Sequence, residues 1–398
     1  MKVIHPRRRV VLEGRSRSER QVGRMQLEEF VEGIFGEEIH AKRVASLTDG
    51  VDGVLHAATL GIRAIGQGLA VAQGLVPKHA IKQVDRLLSN TELDRQSLFR
   101  CWVSFVVAER AEIVINFDWT EFEDSDQSIV VLGMQTGHGR STPLLWKTVR
   151  HSELKDQRND HEDELLVLLS AVLPRGVRIT VVADRGFADS KLFVFLKEEL
   201  GFDYLIRLRA NIYVEAASGE VRKAAEWLGQ KGRMRVLRNA RVTAQRTAVP
   251  VFVCVQEAAM KDGWCLVSSR ADWTGSQVKQ TYGRRFTVEE SFRDLKNPRL
   301  GLGLKQTVIT RNDRRDLLFL LAVLAHALLT LLGKAGQELG MERMLGATRP
   351  GGISLFRQGL MLYALLPTMR EDRLRALMTR FGELLRQHVL FTGILGVL

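Results

Sequence analysis

The stretch that decides the fold is Val177–Phe187, which reads VRITVVADRGF. Its continuous apolar run predicts a strand that is buried on both faces, as in a sheet covered by helices. This strand ends at Asp184. An earlier stretch, Glu112–Trp119, reads EIVINFDW and predicts a second strand that ends at Asp118. Functional groups of open α/β sheets gather at the carboxyl ends of strands, so both aspartates are candidate functional residues.

The surrounding pattern predicts an α/β domain. Two β-rich runs, at 128–135 and 144–149, can follow the first strand as antiparallel partners. Helical patterns at 163–174 and 191–200 alternate with the second strand and with a further one at 202–209. Strands followed by a β-α-β pattern indicate a mixed sheet flanked by helices.

The chain divides into regions of different pattern. We expect a helical N-terminal region at 1–105, a first part of the α/β core at 106–210, a β-rich insertion at 211–270, a second part of the core at 271–335, and a helical C-terminal region at 336–398. Eight basic and two acidic residues fall within Met1–Arg24. This segment is either an arm that contacts a nucleic-acid backbone or an ordinary solvated terminus.

The composition indicates a polyanionic partner. The chain has 58 Lys and Arg against 46 Asp and Glu, a net charge of +12. Such an excess favours phosphate binding, because neutralised phosphates release their counterions. Binding to a membrane surface is the alternative explanation. The three cysteines form no CxxC pair, which indicates reduced thiols in a cytoplasmic protein, and no secretory signal is expected.

One apolar segment needs a test for membrane insertion. Leu317–Leu332 contains sixteen residues without a charge. As a helix it would span roughly 24 Å, which is less than a hydrocarbon core of ~30 Å. We therefore expect a helix that is buried in the protein, and no membrane.

A helical stretch near residue 289 carries an unusual polar stripe. It reads YGRRFTVEESFRDLK and belongs to a helix predicted over 277–295. At about 100° per residue, Tyr282, Arg285, Glu289 and Lys296 fall within a stripe about 60° wide. A functional stripe would combine a ligand carboxylate with phosphate-binding donors, whereas a solvated face could show the same pattern by chance. The neighbouring Glu290 lies about 100° round the helix.

The acidic candidates suit divalent cations. If the strands that carry Asp118 and Asp184 are adjacent, about 4.8 Å separates them, and the two carboxylates can share Mg²⁺ or Mn²⁺. A strand-end aspartate is otherwise more often a turn former or a helix cap. The nine histidines are scattered, so zinc is not expected. No Walker A motif is present, so ATP is not expected either.

These motifs resemble one family. Tyr-x2-Arg-x3-Glu-x6-Lys looks like the YREK signature of the insertion-sequence-four family of bacterial DDE transposases. VVADRGF resembles the second-aspartate motif of that family, and INFDWTEF resembles the first. Four further stretches look like the branch typified by the transposon-ten transposase: RVASLTDGVDGVL, KHAIKQVDRLLSN, EESFRDLKNPRLGLGL and RQHVLFTGILGVL. The resemblance covers nearly the whole chain.

The resemblance implies an RNase H-like catalytic domain with a β-rich insertion. The DDE triad would be Asp118, Asp184 and Glu289, with two Mg²⁺ ions that Mn²⁺ can replace. Family members nick the transposon end, form and reopen a terminal hairpin, and join the 3′-ends to target DNA. Residues matching phosphate-binding or stacking positions are Tyr282, Arg285, Lys296, Trp264 and, as a further candidate, Arg185.

Trp264 matches the position proposed to stack on a flipped base, and a buried structural tryptophan is the rival interpretation. The resemblance also implies an N-terminal region that binds transposon ends, a homodimer on paired ends, and a place in the bacterial cytoplasm at the nucleoid. Two alternatives remain open: an RNase H-like structure-specific nuclease, and an inactive repressor that binds ends without cutting them.

Overall fold

A mixed β-sheet forms the centre of the protein. The computed structural model describes residues 17–229, 232–258, 260–349 and 351–386. Most of the basic segment Met1–Arg24 and nearly all of the ending RQHVLFTGILGVL lie outside these ranges. The first strands are β1 (Glu112–Phe122), β2 (Gln127–Gln135), β3 (Ser141–Arg150), β4 (Arg178–Ala183) and β5 (Asp203–Arg207). They lie in the order β3-β2-β1-β4-β5, with β1, β4 and β5 parallel and β2 and β3 antiparallel. The predicted mixed sheet is confirmed.

The β-rich run after β5 extends the same sheet. Its strands are β6 (Tyr213–Glu215), β7 (Val221–Lys223), β8 (Arg235–Val242), β9 (Thr247–Val255) and β10 (Trp264–Ser268). Strand β10 pairs antiparallel with β5, and the order continues β5-β10-β9-β8-β6-β7. The described residues thus form one sheet of ten strands.

Several of the helices pack against strands of the sheet. They are α1 (Arg17–Phe35), α2 (Ala41–Ala57), α3 (Ile62–Gln73), α4 (Pro77–Leu88), α5 (Arg95–Val107), α6 (Arg158–Val172), α7 (Ser190–Val194), α8 (Gly275–Gly283), α9 (Thr287–Lys296), α10 (Asn312–Glu338), α11 (Leu355–Leu365) and α12 (Glu371–Arg386). Helix α4 shows why these segments are helical. It begins at Pro77, whose missing N–H is harmless in a first turn, and it buries Val84, Leu87 and Leu88 on one face.

Helix α10 is the apolar segment identified in the sequence. By length and composition it could cross a membrane, as could α2 and α3 taken together across a bend of 96°. The whole apolar window of α10 is buried inside the protein, where it packs on α11, α2 and β3. The expectation of a buried helix is confirmed.

The N-terminal end of α10 is held by a buried carboxylate. Asp316 Oδ1 accepts hydrogen bonds from the backbone nitrogen of Thr148, at 2.9 Å, and from its hydroxyl, at 2.6 Å. Asp316 Oδ2 accepts from Arg95 Nη1 at 2.6 Å. One side chain therefore joins α10 to β3 and to α5.

Replacing Asp316 with alanine should lower the free energy of unfolding by about 3 kcal/mol, because buried donors lose their acceptor. Urea unfolding followed by circular dichroism measures this loss. Asp313→Ala is the matched control, since Asp313 lies on the same helix and its partner Arg311 is exposed. It should cost less than about 1 kcal/mol. Equal losses in the two variants would contradict the role assigned to Asp316.

Candidate active site

Two aspartates lie side by side on neighbouring parallel strands. The register pairs Phe117 of β1 with Ala183 of β4, so the next residues, Asp118 and Asp184, are neighbours across the sheet. Asp184 follows the end of β4, as predicted. Asp118 does not end its strand, because β1 continues to Phe122 in antiparallel pairing with β2. It lies instead where the parallel pairing with β4 stops.

Asp184 also shapes the turn that follows it. Its Oδ1 accepts a hydrogen bond from the backbone nitrogen of Gly186 at 2.7 Å. This is the turn-forming role that the sequence left open. It involves one of the two carboxylate oxygens, so it is compatible with a second role for this side chain.

The polar stripe is carried by two helices rather than one. Helix α8 ends at Gly283, a tight turn occupies Arg284–Phe286, and α9 begins at Thr287. The segment 277–295 is helical, as predicted, but it tightens to a 3₁₀ turn at Arg284–Phe286, here called the break between α8 and α9. The angles calculated at about 100° per residue do not hold across this turn. One local cause is the hydroxyl of Thr287, which donates a hydrogen bond to the carbonyl oxygen of Arg284 at 2.7 Å.

Arg285 lies in this turn and joins two of the candidate carboxylates. Its Nη1 is 3.1 Å from Asp118 Oδ2, and its Nη2 is 3.0 Å from Glu289 Oε1. Burial by itself would lower the pKa of Arg285. The phenol of Tyr282 and the carboxylates of Asp118, Glu289 and Asp184 raise that pKa above its ordinary value. The guanidinium is therefore a charged group at the centre of the three acidic residues.

The environment of Asp118 disfavours its ionised form. Burial, with smaller contributions from the negative charges of Asp184 and Glu289, raises the pKa of Asp118 to about 6, against the opposing effects of Arg285 and of the hydrogen bond from the backbone nitrogen of Trp119. Glu289 is half-exposed at the edge of the group. A shifted carboxyl beside other carboxylates is typical of a functional site.

Two further residues of the stripe have different surroundings. Lys296 Nζ donates hydrogen bonds to the hydroxyl of Thr120, at 2.9 Å, and to the carbonyl oxygen of Glu121, at 2.7 Å. It is thus attached to β1 just beyond Asp118. Tyr282 is only 1% exposed, so in this structure it lies behind Arg285 and not at the surface.

The comparison with known families agrees with this geometry. Residues 147–328 match the family model described as the transposase DDE domain. This region of the chain is similar to DDE transposases. The match covers a little under half of the chain, and it includes Asp184 and Glu289 but begins after Asp118. It supports a DDE transposase family and transposase activity, and it implies an RNase H-like fold. A search of curated proteins finds no match to the chain.

The donor chemistry of the site fits a hard divalent cation. Carboxylates of aspartate and glutamate are the ligands that Mg²⁺ and Mn²⁺ prefer. In the described parts of the chain, no three His, Cys, Asp or Glu side chains are grouped closely enough to hold a metal ion as they stand. At this site the guanidinium of Arg285 contacts both Asp118 and Glu289.

An aromatic pair borders the carboxylates. The half-buried ring of Trp264 packs edge-on against Tyr282, with centroids 4.9 Å apart, and lies nearly parallel to Phe286, with centroids 6.1 Å apart. Phe286 is 42% exposed, and the guanidinium of Arg285 lies 4.8 Å from its ring centroid. Sequence reasoning missed Phe286, although its position next to Arg285 and within a polar stripe was a usable signal.

Two arginines near the site were also missed. Ala183 pairs with Ile206 in the parallel register of β4 and β5, so Arg207 lies beside Asp184 at the same edge of the sheet. Arg207 Nη2 donates to the carbonyl oxygen of Gly263, at 3.1 Å, directly before Trp264. The exposed Arg209 donates from Nε to the carbonyl oxygen of Arg185, itself exposed, at 3.4 Å. The alternation in LIRLR at the end of a predicted strand could have identified both.

Proposed function

We propose that this chain is a cut-and-paste DNA transposase. It would bind the terminal inverted repeats of its own element, cleave them through a hairpin intermediate, and join the 3′-ends to target DNA. The observation that carries the proposal is the convergence of Asp118 and Glu289 on Arg285, with Asp184 alongside on the next parallel strand. The match of residues 147–328 to a transposase domain supports it.

The carboxylates Asp118, Asp184 and Glu289 would hold two Mg²⁺ ions, or Mn²⁺ in their place. When bound, such ions supply an activated water or 3′-hydroxyl and stabilise the leaving oxygen. Arg285 would then be released from Asp118 and Glu289 and could bind a phosphate oxygen of the cleaved strand. Lys296, the last residue of α9, lies against the end of β1. Lys296 and the exposed Arg185 would contact the neighbouring phosphates.

The N-terminal helices offer a surface for the transposon end. A groove of about 600 Å³ between α2 and α4 is lined by Ser46, His79, Gln83 and Arg86. These side chains carry hydrogen-bond donors that suit DNA phosphates and base edges. Together with the net charge of +12, the groove supports binding of end DNA by this region.

We further propose that the protein acts as a homodimer on paired transposon ends. It would act at the bacterial nucleoid in the cytoplasm, without ATP.

A hairpin step needs the terminal nucleotide to leave the duplex. The exposed ring of Phe286 and the half-buried ring of Trp264 provide an aromatic surface for its base. Trp264→Ala should slow hairpin formation about 5- to 150-fold, corresponding to roughly 1–3 kcal/mol of stacking, and should leave the first nick unchanged. Gel analysis of end-labelled DNA separates the two steps. Trp264→Phe is the control and should retain much of the rate. An equal loss in nicking and hairpin formation would indicate a structural tryptophan.

The experiment that tests the function uses duplex DNA from the ends of the element that encodes this chain, incubated with the protein and Mg²⁺. We expect a nick, a terminal hairpin, and then joining to a target plasmid. A parallel incubation contains a branched DNA of unrelated sequence, and its cleavage without hairpins on the end DNA would indicate a structure-specific nuclease instead. Binding of the ends without any cleavage, in Mg²⁺ and in Mn²⁺, would indicate an end-binding repressor.

A further inference from the structure

A buried polar network holds both sides of the break between α8 and α9. Gln135 Nε2, on β2, donates a hydrogen bond to the carbonyl oxygen of Thr281 in the last turn of α8, at 3.2 Å. Asn116 Nδ2, on β1, donates to the hydroxyl of Thr287 at the start of α9, at 3.3 Å. Gln135 Nε2 also donates to Asn116 Oδ1, at 2.7 Å, and so closes the network. The turn with Arg285 lies between the two attachment points.

The same network is connected directly to the candidate site. Asn116 and Asp118 are two residues apart on one strand, so their side chains lie on the same face of the sheet. Thr287 is two residues before Glu289 on α9. The contacts from Asn116 to Thr287 and from Arg285 to Asp118 therefore run side by side between β1 and the break. Both contacts join β1 to the residues just before Glu289.

The network is buried and not fully satisfied. Asn116 is 0% and Gln135 is 2% exposed, and the neighbouring core is apolar. Gln135 Oε1 is buried and has no hydrogen-bond partner within the described residues. A buried acceptor without a donor costs about 1–3 kcal/mol, whereas replacing both partners by apolar groups of similar shape can be nearly neutral. The presence of polar side chains at these two buried positions is better explained by the way they hold α8 and α9 than by a gain in stability.

We propose that Asn116 and Gln135 are positioning residues that fix the α8–α9 break, and with it Arg285 and Glu289, above Asp118. This inference rests on the proposed function of the same site. Neither side chain needs to contact DNA or a metal ion. Each acts through the backbone and hydroxyl groups that it holds.

The test is the double variant Asn116→Leu/Gln135→Met, which removes the polar partners together and keeps the side chains close to their original size. We expect a melting temperature within a few degrees of the wild type. Amide hydrogen exchange in residues 281–296 should become at least about tenfold faster, because the break loses its attachments. The single-turnover nicking rate on end DNA with Mg²⁺ should fall about 100-fold at unchanged DNA affinity, as expected for misplaced catalytic groups.

Gln358→Met is a matched control. Gln358 is also fully buried, donates hydrogen bonds to Glu342 and to the carbonyl oxygen of Ile353, and has a buried Oε1 without a partner among the described residues. It lies on α11, away from the site. This variant should leave exchange in 281–296 and the nicking rate unchanged.

The outcomes separate this inference from the proposed function. Wild-type protein that fails to nick the end DNA would overturn the function and leave the exchange measurement to decide the positioning role. Unchanged exchange in 281–296, or a rate that falls only in proportion to a lowered melting temperature, would overturn the positioning role. An unchanged nicking rate despite faster exchange would overturn it as well.

Discussion

Glu289→Gln should slow DNA cleavage at least about 1,000-fold, which corresponds to about 4 kcal/mol in the activation barrier. Glu289 is the carboxylate of α9 that shares the guanidinium of Arg285 with Asp118. The amide keeps the shape of the side chain but loses the negative charge that a divalent cation requires. Single-turnover cleavage of end DNA in Mg²⁺ gives the rate, and a gel-shift assay gives the DNA affinity, which should stay within about twofold.

The neighbouring Glu290 provides the control. Its Oε2 forms an ion pair with the exposed Arg293, at 2.9 Å, on a different side of α9. Glu290→Gln should therefore cleave at nearly the wild-type rate, since exposed ion pairs contribute little. If both variants cleaved equally well, or if Glu290→Gln were the inactive one, the assignment of the third carboxylate would be wrong.

Gly359→Ala should destabilise the protein by at least about 4 kcal/mol, near the upper limit for a single substitution. Helices α10 and α11 pack so closely that a Cβ at Gly359 would overlap the carbonyl oxygen of Leu329. The facing Gly333 has the same restriction against the carbonyl oxygen of Leu355. Because backbone atoms cannot move aside as a side chain can, the two helices must separate. Thermal unfolding and the soluble fraction after expression measure the effect.

A second helical glycine shows what the same substitution does without the contact. Gly33 lies inside α1, and a Cβ there would meet no atom within 4 Å. Gly33→Ala should stabilise the protein by about 0.5–1 kcal/mol, because alanine favours a helix interior. A similar loss in both variants would show that helix propensity, and not the contact between α10 and α11, determines the result.

The strands with the two aspartates were predictable because their signals are local. Val177–Phe187 is apolar enough to be buried on both faces wherever it lies, so β4 and the place of Asp184 followed from the sequence. The end of β1 was not predictable in this way. Strand β1 continues past Asp118 because β2 pairs with it as far as Phe122, and that pairing depends on a partner elsewhere in the chain.

The break between α8 and α9 was missed for a similar reason. The segment 277–295 has helical periodicity throughout, and its glycine, Gly283, was not sufficient to predict an interruption. The groups that hold the break, Asn116 and Gln135, are more than 140 residues away in sequence. Periodicity reports which residues can share a face, but only tertiary contacts determine whether the helix remains continuous.

The antiparallel pairing of β10 with β5 has a consequence for shortened forms of the protein. Without the segment between β5 and α8, strand β5 would become an edge strand, with a row of unpaired backbone groups beside Asp184. Exposed edges of this kind recruit strands from other chains and lead to aggregation. The segment therefore protects the core sheet from self-association in addition to carrying Trp264. A minimal version of the domain would need a charged or proline-containing replacement along β5 to remain monodisperse.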